Sequence, residues 1–254
     1  MLYNKAMKKL STIIALAGSL LWVSAFAASP LTGKIIALDA GHGGGETGAV
    51  NFKYGVKEED VNWNVVQALK AKLEASEIGA HAVVANRLSS RKDRVNDAIA
   101  KCAALDLNND GADDGRKCDA LVSVHHNGST DPLHDGTLAI YNEKKDKPLA
   151  EKILASLVPL TGRNEGLKNG GYGMTVYGNL VSVLTEAYYI TNDCEAELYL
   201  YSIGDTRITD LTQSQSCKDK GYVLENRIAR EAELQVDGLS SYFGSSTGGK
   251  GGRK

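Results

Sequence analysis

KIIALDAGHGGG, residues 34–45, is the stretch that decides the fold. Residues 34–38 form a short apolar run with the length and composition of a buried strand. The run turns polar at Asp39 and passes through His42 into three consecutive glycines, which is typical of a strand that ends in a turn. The stretch therefore predicts a central strand of an α/β sheet, with chemically useful side chains at its carboxyl end.

Further short apolar runs alternate with helical spacing along the chain, which is typical of the α/β class. The other predicted strands are residues 81–85, 120–124, 136–141 and 181–185. The predicted helices are residues 57–75, 91–104, 147–160 and 223–243. This order predicts one domain over residues 28–243, built on a twisted, mixed, mostly parallel sheet that is flanked by helices on both faces.

The first 27 residues have the pattern of a secretory signal peptide. Three lysines precede an apolar run over residues 10–23, and Ala25-Phe26-Ala27 is a small-x-small cleavage site. The apolar run is shorter than the roughly 20 residues that cross a membrane. We therefore expect cleavage after Ala27 and export, either to the periplasm or to the cell wall.

Charge and hydropathy limit the partners of the mature chain. Loss of the signal peptide removes three lysines and no acids, and it changes the formal net charge from −2 to −5. A nucleic-acid partner requires a basic face, so this balance argues against one. No later run is apolar enough to anchor the chain in a membrane. The tail, residues 244–254, is rich in Gly, Ser and Lys and is predicted to be disordered.

All four cysteines lie in the part of the chain that is predicted to be exported. They are Cys102, Cys118, Cys194 and Cys217. An even number of cysteines outside the cytosol favours disulfides. Of the three possible pairings we favour Cys102–Cys118 and Cys194–Cys217, because each would close one polar segment. The chain has no Cys-x-x-Cys spacing, which argues against a four-cysteine zinc site.

Polar side chains follow three of the predicted strands. His42 follows the first, His125 and His126 follow the third, and Glu186 follows the last. Open α/β sheets bind ligands at the carboxyl ends of their strands, so these side chains are expected at one edge. Helical phase adds Glu58, which falls within the apolar stripe of the helix that starts near residue 57. A carboxylate on a buried face needs a partner, and a metal ion is a natural one.

Two histidines and one carboxylate make the ligand set of a catalytic zinc site, which keeps a further position open. His42, Glu58 and one of His125 and His126 are therefore predicted to hold one zinc ion. Glu186 is then free to act as the general base. Alternation along a strand lets only one of His125 and His126 be a ligand. The alternative for Glu58 is an acid in the first turn that the helix dipole favours.

With these residues the chain resembles the zinc-dependent N-acetylmuramoyl-L-alanine amidases of the amidase 3 family. The matching pieces occur in the family's order: IIALDAGHGG (35–44), GVKEEDVN (55–62), ALVSVHHN (120–127), EGLKN (165–169) and VSVLTEAYYITN (181–192). The C-terminal RIAREAELQVDGLSSYF is similar to the family's last helix. The resemblance implies an exported enzyme that cuts the bond between N-acetylmuramic acid and the L-alanine of the stem peptide in peptidoglycan. It implies that His42, Glu58 and His125 are the zinc ligands and that Glu186 is the catalytic carboxylate, all of which the strand ends and the helical phase also select.

The chain departs from the family pattern in several places. His126 stands where the family usually has a small residue, so contact with the substrate and disturbance of the metal are both open. Ala187 occupies a position where glycine is common, and Arg94 matches a recurrent arginine without an assigned role. Segments 106–117 and 199–221 are interpreted as polar insertions. The sequence leaves open whether the second covers the active site and makes activity depend on an activating protein partner.

The acidic segment also has the partial pattern of a calcium loop. Asp106, Asn108, Asp110 and Asp114 occupy its first, third, fifth and ninth positions. The twelfth position is Lys117 instead of a bidentate glutamate. Calcium binding is therefore the alternative, and a solvated loop is favoured.

Three other functions compete with the amidase hypothesis. Gly43, Gly45 and Gly48 match a dinucleotide fingerprint, but no helix opens directly from it and no ribose-binding acid follows the second strand. A non-catalytic wall-binding or regulatory protein on the same fold would have no need for Glu186. A zinc hydrolase of another peptide amide is separated from the amidase by the family resemblance alone.

Overall fold

The computed structural model describes residues 28–208, 214–222 and 225–245. The predicted signal peptide lies outside these residues, as does the predicted tail beyond residue 245, so both remain predictions. Among the described residues, no helix combines the length and the apolar character that a membrane crossing requires.

The described residues form eight strands and six α-helices. The strands are β1 (Ile35–Ala40), β2 (Val50–Asn51), β3 (Val56–Lys57), β4 (His81–Val84), β5 (Ala120–Asn127), β6 (Thr137–Tyr141), β7 (Asn164–Asn169) and β8 (Ser182–Tyr189). The helices are α1 (Glu58–Glu74), α2 (Arg91–Ala103), α3 (Lys147–Leu157), α4 (Asp193–Ser202), α5 (Gln215–Lys220) and α6 (Arg227–Gly244). Short 3-10 turns occupy Val158–Leu160 and Gly173–Val176.

Six strands form one mixed sheet in the order β4-β1-β5-β8-β6-β7. Every neighbouring pair is parallel except β8 with β6. Strands β2 and β3 form a separate small antiparallel pair. The fold prediction is therefore confirmed, and the carboxyl ends of β1, β5 and β8 meet at one edge of the sheet.

The central strands of the sheet are buried on both faces, which explains why they are continuous apolar runs. Ile36 and Leu38 of β1 belong to the larger core, which also contains buried residues of α1, α3 and α6. Ile35 and Ala37 belong to a smaller core with α2 and the 3-10 turn Gly173–Val176. Successive residues of a strand thus point to different layers of the molecule.

The segment 199–221 was predicted to be a polar loop, and this prediction was wrong in part. It contains the end of α4 and all of α5. Helix α4 buries acidic side chains together with apolar ones, Glu195 and Glu197 among them, and this hides its helical spacing. Asn192 caps the helix, because its side chain accepts hydrogen bonds from the backbone N–H groups of residues 194 and 195.

Helix α6 and strand β7 also differ from the predictions. Helix α6 begins at Arg227, four residues later than predicted, where the Asn226 side chain accepts from Ala229 N at 2.9 Å. Strand β7 was not predicted, because it is an edge strand whose residues are all exposed or half-buried. It pairs only with β6, so the alternation that marks a half-buried strand is absent from its sequence.

Both predicted disulfides are present. The Cα atoms of Cys102 and Cys118 are 5.5 Å apart, and this bond ties α2 to the segment before β5. The Cα atoms of Cys194 and Cys217 are 4.8 Å apart, and this bond ties α4 to α5. Both distances lie within the range of ordinary disulfides.

Removal of the first disulfide should lower stability. A closed loop of this length contributes about 3 kcal/mol to the free energy of unfolding. The variant Cys102→Ala/Cys118→Ala is therefore expected to melt roughly 6–12 °C below the parent, as measured by calorimetry without reductant. Equal melting temperatures would contradict this contribution. Reduction of the parent should reproduce the direction of the shift.

Candidate metal centre

His42 lies in the turn that follows β1, and its backbone is in the left-handed region with φ of 62°. This conformation is uncommon for a residue with a side chain, and such outliers cluster at functional sites. The Arg94 guanidinium of α2 holds the turn by donating to the carbonyl of His42 at 3.0 Å. The same guanidinium pairs with the buried carboxylate of Asp39 at 3.2 Å. This gives Arg94, which had no assigned role, a structural one.

Glu58 is the first residue of α1, and its side chain is buried, as helical phase predicted. Its Oε2 atom accepts from the backbone N–H of Ala49 at 2.9 Å. Its Oε1 atom accepts from the backbone N–H of His126 at 3.2 Å. These two bonds fix the carboxylate between the turn after β1 and the end of β5.

His125 and His126 point to opposite sides of β5, as the alternation rule requires. The Nδ1 atom of His125 lies 3.1 Å from Oε1 of Glu58 at the sheet edge. His126 is 1 % exposed, and its ring contacts Asn62 and Glu231 in the core between the sheet and the helices. The structure thus separates the two histidines and places His126 away from solvent.

His42, Glu58 and His125 converge on one point. The Nε2 atom of His42 lies 3.1 Å from Oε2 of Glu58, and the three ligand atoms all lie within 4.8 Å of one another. Tetrahedral ligands at about 2.1 Å from zinc would lie about 3.4 Å apart, and each histidine nitrogen lies 3.1 Å from one of the two carboxylate oxygens of Glu58. Among the described residues, this is the one group of three or more such side chains that could hold a metal ion.

The charge state of Glu58 suits a cation. Burial lowers the pKa of His42, but the hydrogen bond to Glu58 and the negative charges of Glu58 and Glu46 together outweigh this effect, and the net pKa is raised. Burial raises the pKa of Glu58, but the hydrogen bonds from His125 and His42 outweigh it and hold the pKa well below its usual range. Glu58 is therefore an anion in the folded protein, as a metal ligand has to be.

Two glycines keep space for these side chains. A Cβ atom on Gly41 would lie 2.3 Å from two atoms of the His125 ring. A Cβ atom on Gly48 would lie 2.3 Å from Oε2 of Glu58 and 2.6 Å from Cδ2 of His42. The glycines around the turn are therefore needed for close approach to the ligand side chains.

Glu186 lies on β8 directly beside His125 of β5 in the register of the sheet. Burial raises its pKa well above the usual value, and the nearby charge of Glu58 adds to this shift. Its Oε2 atom is buried and has no hydrogen-bond partner among the described residues. A carboxyl group with a perturbed pKa and an unpaired oxygen beside a metal site is a candidate for proton transfer.

A cleft of about 240 Å³ opens beside His42 and His125. Its other wall consists of residues 88–92, at and before the start of α2, and of Tyr177. Arg91 and Lys92 give this wall a positive charge. None of the described residues of the segment 199–221 lines the cleft. The structure therefore gives no support to a role for that segment as a cover of this site.

The acidic segment uses its side chains for local hydrogen bonds. The two carboxylate oxygens of Asp106 accept from the backbone N–H groups of Asp110 at 3.1 Å and Gly111 at 2.8 Å. Asp114 accepts from the backbone N–H of Leu107 at 2.8 Å. These bonds are typical of a solvated loop with Asx turns. The calcium hypothesis gains no support.

Residues 36–211 match the family model described as N-acetylmuramoyl-L-alanine amidase. The chain belongs to the amidase 3 family. The uncharacterized protein YqiI of Bacillus subtilis is 32% identical over 197 residues, which cover 75% of this chain and 88% of YqiI. The N-acetylmuramoyl-L-alanine amidase LytC of the same organism is 29% identical over 176 residues, which cover 66% of this chain and 32% of LytC. The chain thus spans most of the first relative and about a third of the second.

Solved structures share the fold of this amidase 3 chain. The N-acetylmuramoyl-L-alanine amidase of Clostridium difficile 630 superposes with a TM-score of 0.61 at 22% identity, over 85% of this chain and 99% of that one. Its coverage confirms that one α/β domain accounts for the described residues. The four predicted site residues all lie within the span that matches the family model.

The sequence analysis missed Asn62 as a part of the site. Its side-chain amide donates to the carbonyl of Gly41 at 3.0 Å and to Oε1 of Glu58 at 3.4 Å. The signal was available, because Asn62 follows Glu58 by four residues and therefore lies on the same buried face of α1.

Proposed function

We propose that this amidase 3 chain is a zinc-dependent hydrolase of the amide bond between N-acetylmuramic acid and the L-alanine of the stem peptide in peptidoglycan. The observation that carries the proposal is the convergence of His42, Glu58 and His125 beside Glu186, in a chain of this family. The three converging residues supply two nitrogen ligands and one oxygen ligand, which is the donor set of a catalytic zinc site.

The zinc ion and the protein side chains would contribute different parts of the proposed hydrolysis. A bound zinc ion lowers the pKa of water toward 7 and polarises a carbonyl oxygen. His42, Glu58 and His125 would hold the ion, and Arg94 and Asn62 fix the turn that carries His42.

Glu186 is the proposed general base and general acid. It accepts the proton of the water that attacks the lactyl carbonyl of N-acetylmuramic acid, and it returns this proton to the departing amine of L-alanine. The raised pKa of Glu186 belongs to the protein without a cation, and a cation nearby favours the ionised carboxylate. The side chain then alternates between the two protonation states that the reaction needs.

The cleft offers a place for the stem peptide. Its wall at the start of α2 carries Arg91 and Lys92, which are exposed cations. Stem peptides carry carboxylates, so opposite charges would attract them to this wall. We propose that the peptide side of the scissile bond lies along this wall.

Export of the chain agrees with this substrate. Peptidoglycan lies outside the cytoplasm, and disulfides persist in oxidising compartments. Both disulfides are present in the structure. We therefore propose that the predicted signal peptide directs the chain to the periplasm or to the cell wall.

The test is digestion of purified peptidoglycan by the zinc-loaded mature chain, with products identified by mass spectrometry. The expected products are free stem peptides that begin with L-alanine, and a chelator should abolish their release. Cleavage inside the stem peptide would instead identify a hydrolase of another amide. Binding to intact wall without any release would identify a binding protein.

A further inference from the structure

The His126 ring makes two hydrogen bonds at the centre of the molecule. Its Nδ1 atom lies 2.7 Å from Oδ1 of Asn62 on α1. Its Nε2 atom lies 2.9 Å from Oε2 of Glu231 on α6, and both of these side chains are fully buried. The other oxygen of Glu231 accepts from Nε2 of Gln235 at 3.0 Å. A network of hydrogen bonds therefore joins α6 to α1 through His126 of β5.

The donor and the acceptor of each hydrogen bond in this network follow from the chemistry of the groups. The amide nitrogen of Asn62 faces two acceptors, the carbonyl of Gly41 and the carboxylate of Glu58, so it has to donate to both. The amide oxygen of Asn62 therefore faces His126, and Nδ1 of His126 has to carry a proton. The contact between Nε2 and Glu231 then holds one shared proton. The orientations of the Asn62 amide and of the His126 ring are therefore fixed by the groups that they contact.

This network of hydrogen bonds ends at the proposed metal site. Asn62 donates to Oε1 of Glu58, and the backbone N–H of His126 donates to the same oxygen at 3.2 Å. Asn62 also donates to the carbonyl of Gly41, one residue before His42. A single amide thus contacts one proposed ligand and the turn that carries another.

We propose that His126 and Glu231 are positioning residues for the metal site. They fix the amide of Asn62, and Asn62 holds Glu58 and the turn after β1 in the geometry that binds the ion. The inference rests on the proposed function, because it takes Glu58 as a metal ligand. It also gives a role to His126, for which contact with the substrate and disturbance of the metal were both open.

The competing explanation is that His126 only fills space and neutralises a buried acid. The variant His126→Phe/Glu231→Leu separates the two explanations. It keeps the volume and the ring contact with Tyr188, which has a centroid distance of 4.3 Å in the parent. Replacement of both partners of a buried pair by apolar groups is often neutral for stability, but here it also removes the partners of Asn62 Oδ1 and Gln235 Nε2, so the melting temperature should fall under either explanation. A filler role predicts that zinc affinity is retained in spite of this loss, whereas a positioning role predicts that zinc affinity is lost as well.

The measurements are the melting temperature of the metal-free chain and its zinc dissociation constant, from competition with a chromophoric chelator. We expect the apolar pair to melt below the parent, to remain folded at the temperature of the binding assay and to bind zinc roughly 10–100-fold more weakly. A zinc dissociation constant within twofold of the parent would overturn the inference. Asn62→Leu is the second variant, to be used if the pair variant fails to fold. It should show a similar loss of zinc affinity. Its loss should not add to that of the pair, because the residues act in series.

Two further variants complete the test. Glu231→Gln should recover most of the affinity that the apolar pair loses, because its amide can donate to Nε2 of His126 and accept from Gln235. Glu195→Gln is the matched control, because Glu195 is equally buried and pairs with Arg227 at 2.7 Å, away from Asn62. It should lower the melting temperature and leave zinc affinity unchanged. Failure of the parent to bind zinc would refute the proposed function, whereas equal binding by parent and apolar pair would refute this inference alone.

Discussion

Glu186→Gln is expected to bind zinc as tightly as the parent and to release stem peptides roughly 10²–10⁴-fold more slowly. The glutamine keeps the volume of the side chain but can no longer take a proton from water. Glu186 is not one of the three converging ligands, so the metal should stay in place. The measurement is kcat on purified peptidoglycan together with the zinc content of the same preparation.

The matched control for this variant is Glu197→Gln. Glu197 is also a buried glutamate, but it lies on α4 and accepts a hydrogen bond from the hydroxyl of Tyr54. Its replacement should change the melting temperature more than the turnover. Near-normal turnover by Glu186→Gln would show that Glu186 is not the general base. A loss of zinc in that variant would show instead that Glu186 holds the ion.

Gly41→Ala is expected to lower zinc affinity by roughly 10²–10³-fold and to abolish activity at limiting zinc. The new Cβ atom would lie 2.3 Å from atoms of the His125 ring, so the ring has to move. Structural zinc sites bind with about 10–16 kcal/mol from four ligands, so the loss of one ligand costs about 2.5–4 kcal/mol. The measurement is again chelator competition with the metal-free chain.

Gly170→Ala provides the control for the added methyl group. A Cβ atom on Gly170 meets no atom within 4 Å, and its backbone is outside the left-handed region. This variant should bind zinc and turn over as the parent does. Unchanged zinc affinity in Gly41→Ala would mean that His125 is not a ligand, or that its ring binds the ion from a different position.

Much of the site could be predicted because a parallel sheet brings its strand ends together. The positions of His42, His125 and Glu186 follow from the order of apolar runs and from the rule that ligands bind at carboxyl ends. Glu58 follows from helical phase, because its spacing from Val61 and Val65 places it on the buried face. The structure brings His42, Glu58 and His125 together and places Glu186 in the adjacent strand.

The remainder depends on contacts between distant segments, which local patterns do not encode. Helix α4 is stabilised by buried ion pairs such as Glu195 with Arg227, which is 32 residues away. The orientation of His126 depends on Glu231, which is 105 residues away. Alternation along β5 predicted that one histidine would turn away from the site, but the partner that receives it comes from the last helix. The edge strand β7 lacks a buried face and so lacks a hydrophobic signal.

The central claim is that one zinc ion is held by His42, Glu58 and His125. Crystals of the zinc-loaded mature chain, with diffraction data on both sides of the zinc absorption edge, test it most directly. The account predicts one strong anomalous peak bounded by Nε2 of His42, the carboxylate of Glu58 and Nδ1 of His125, with Glu186 beside it but not bonded to it. A peak at another group of side chains, or zinc-loaded crystals without a peak at this site, would contradict the account.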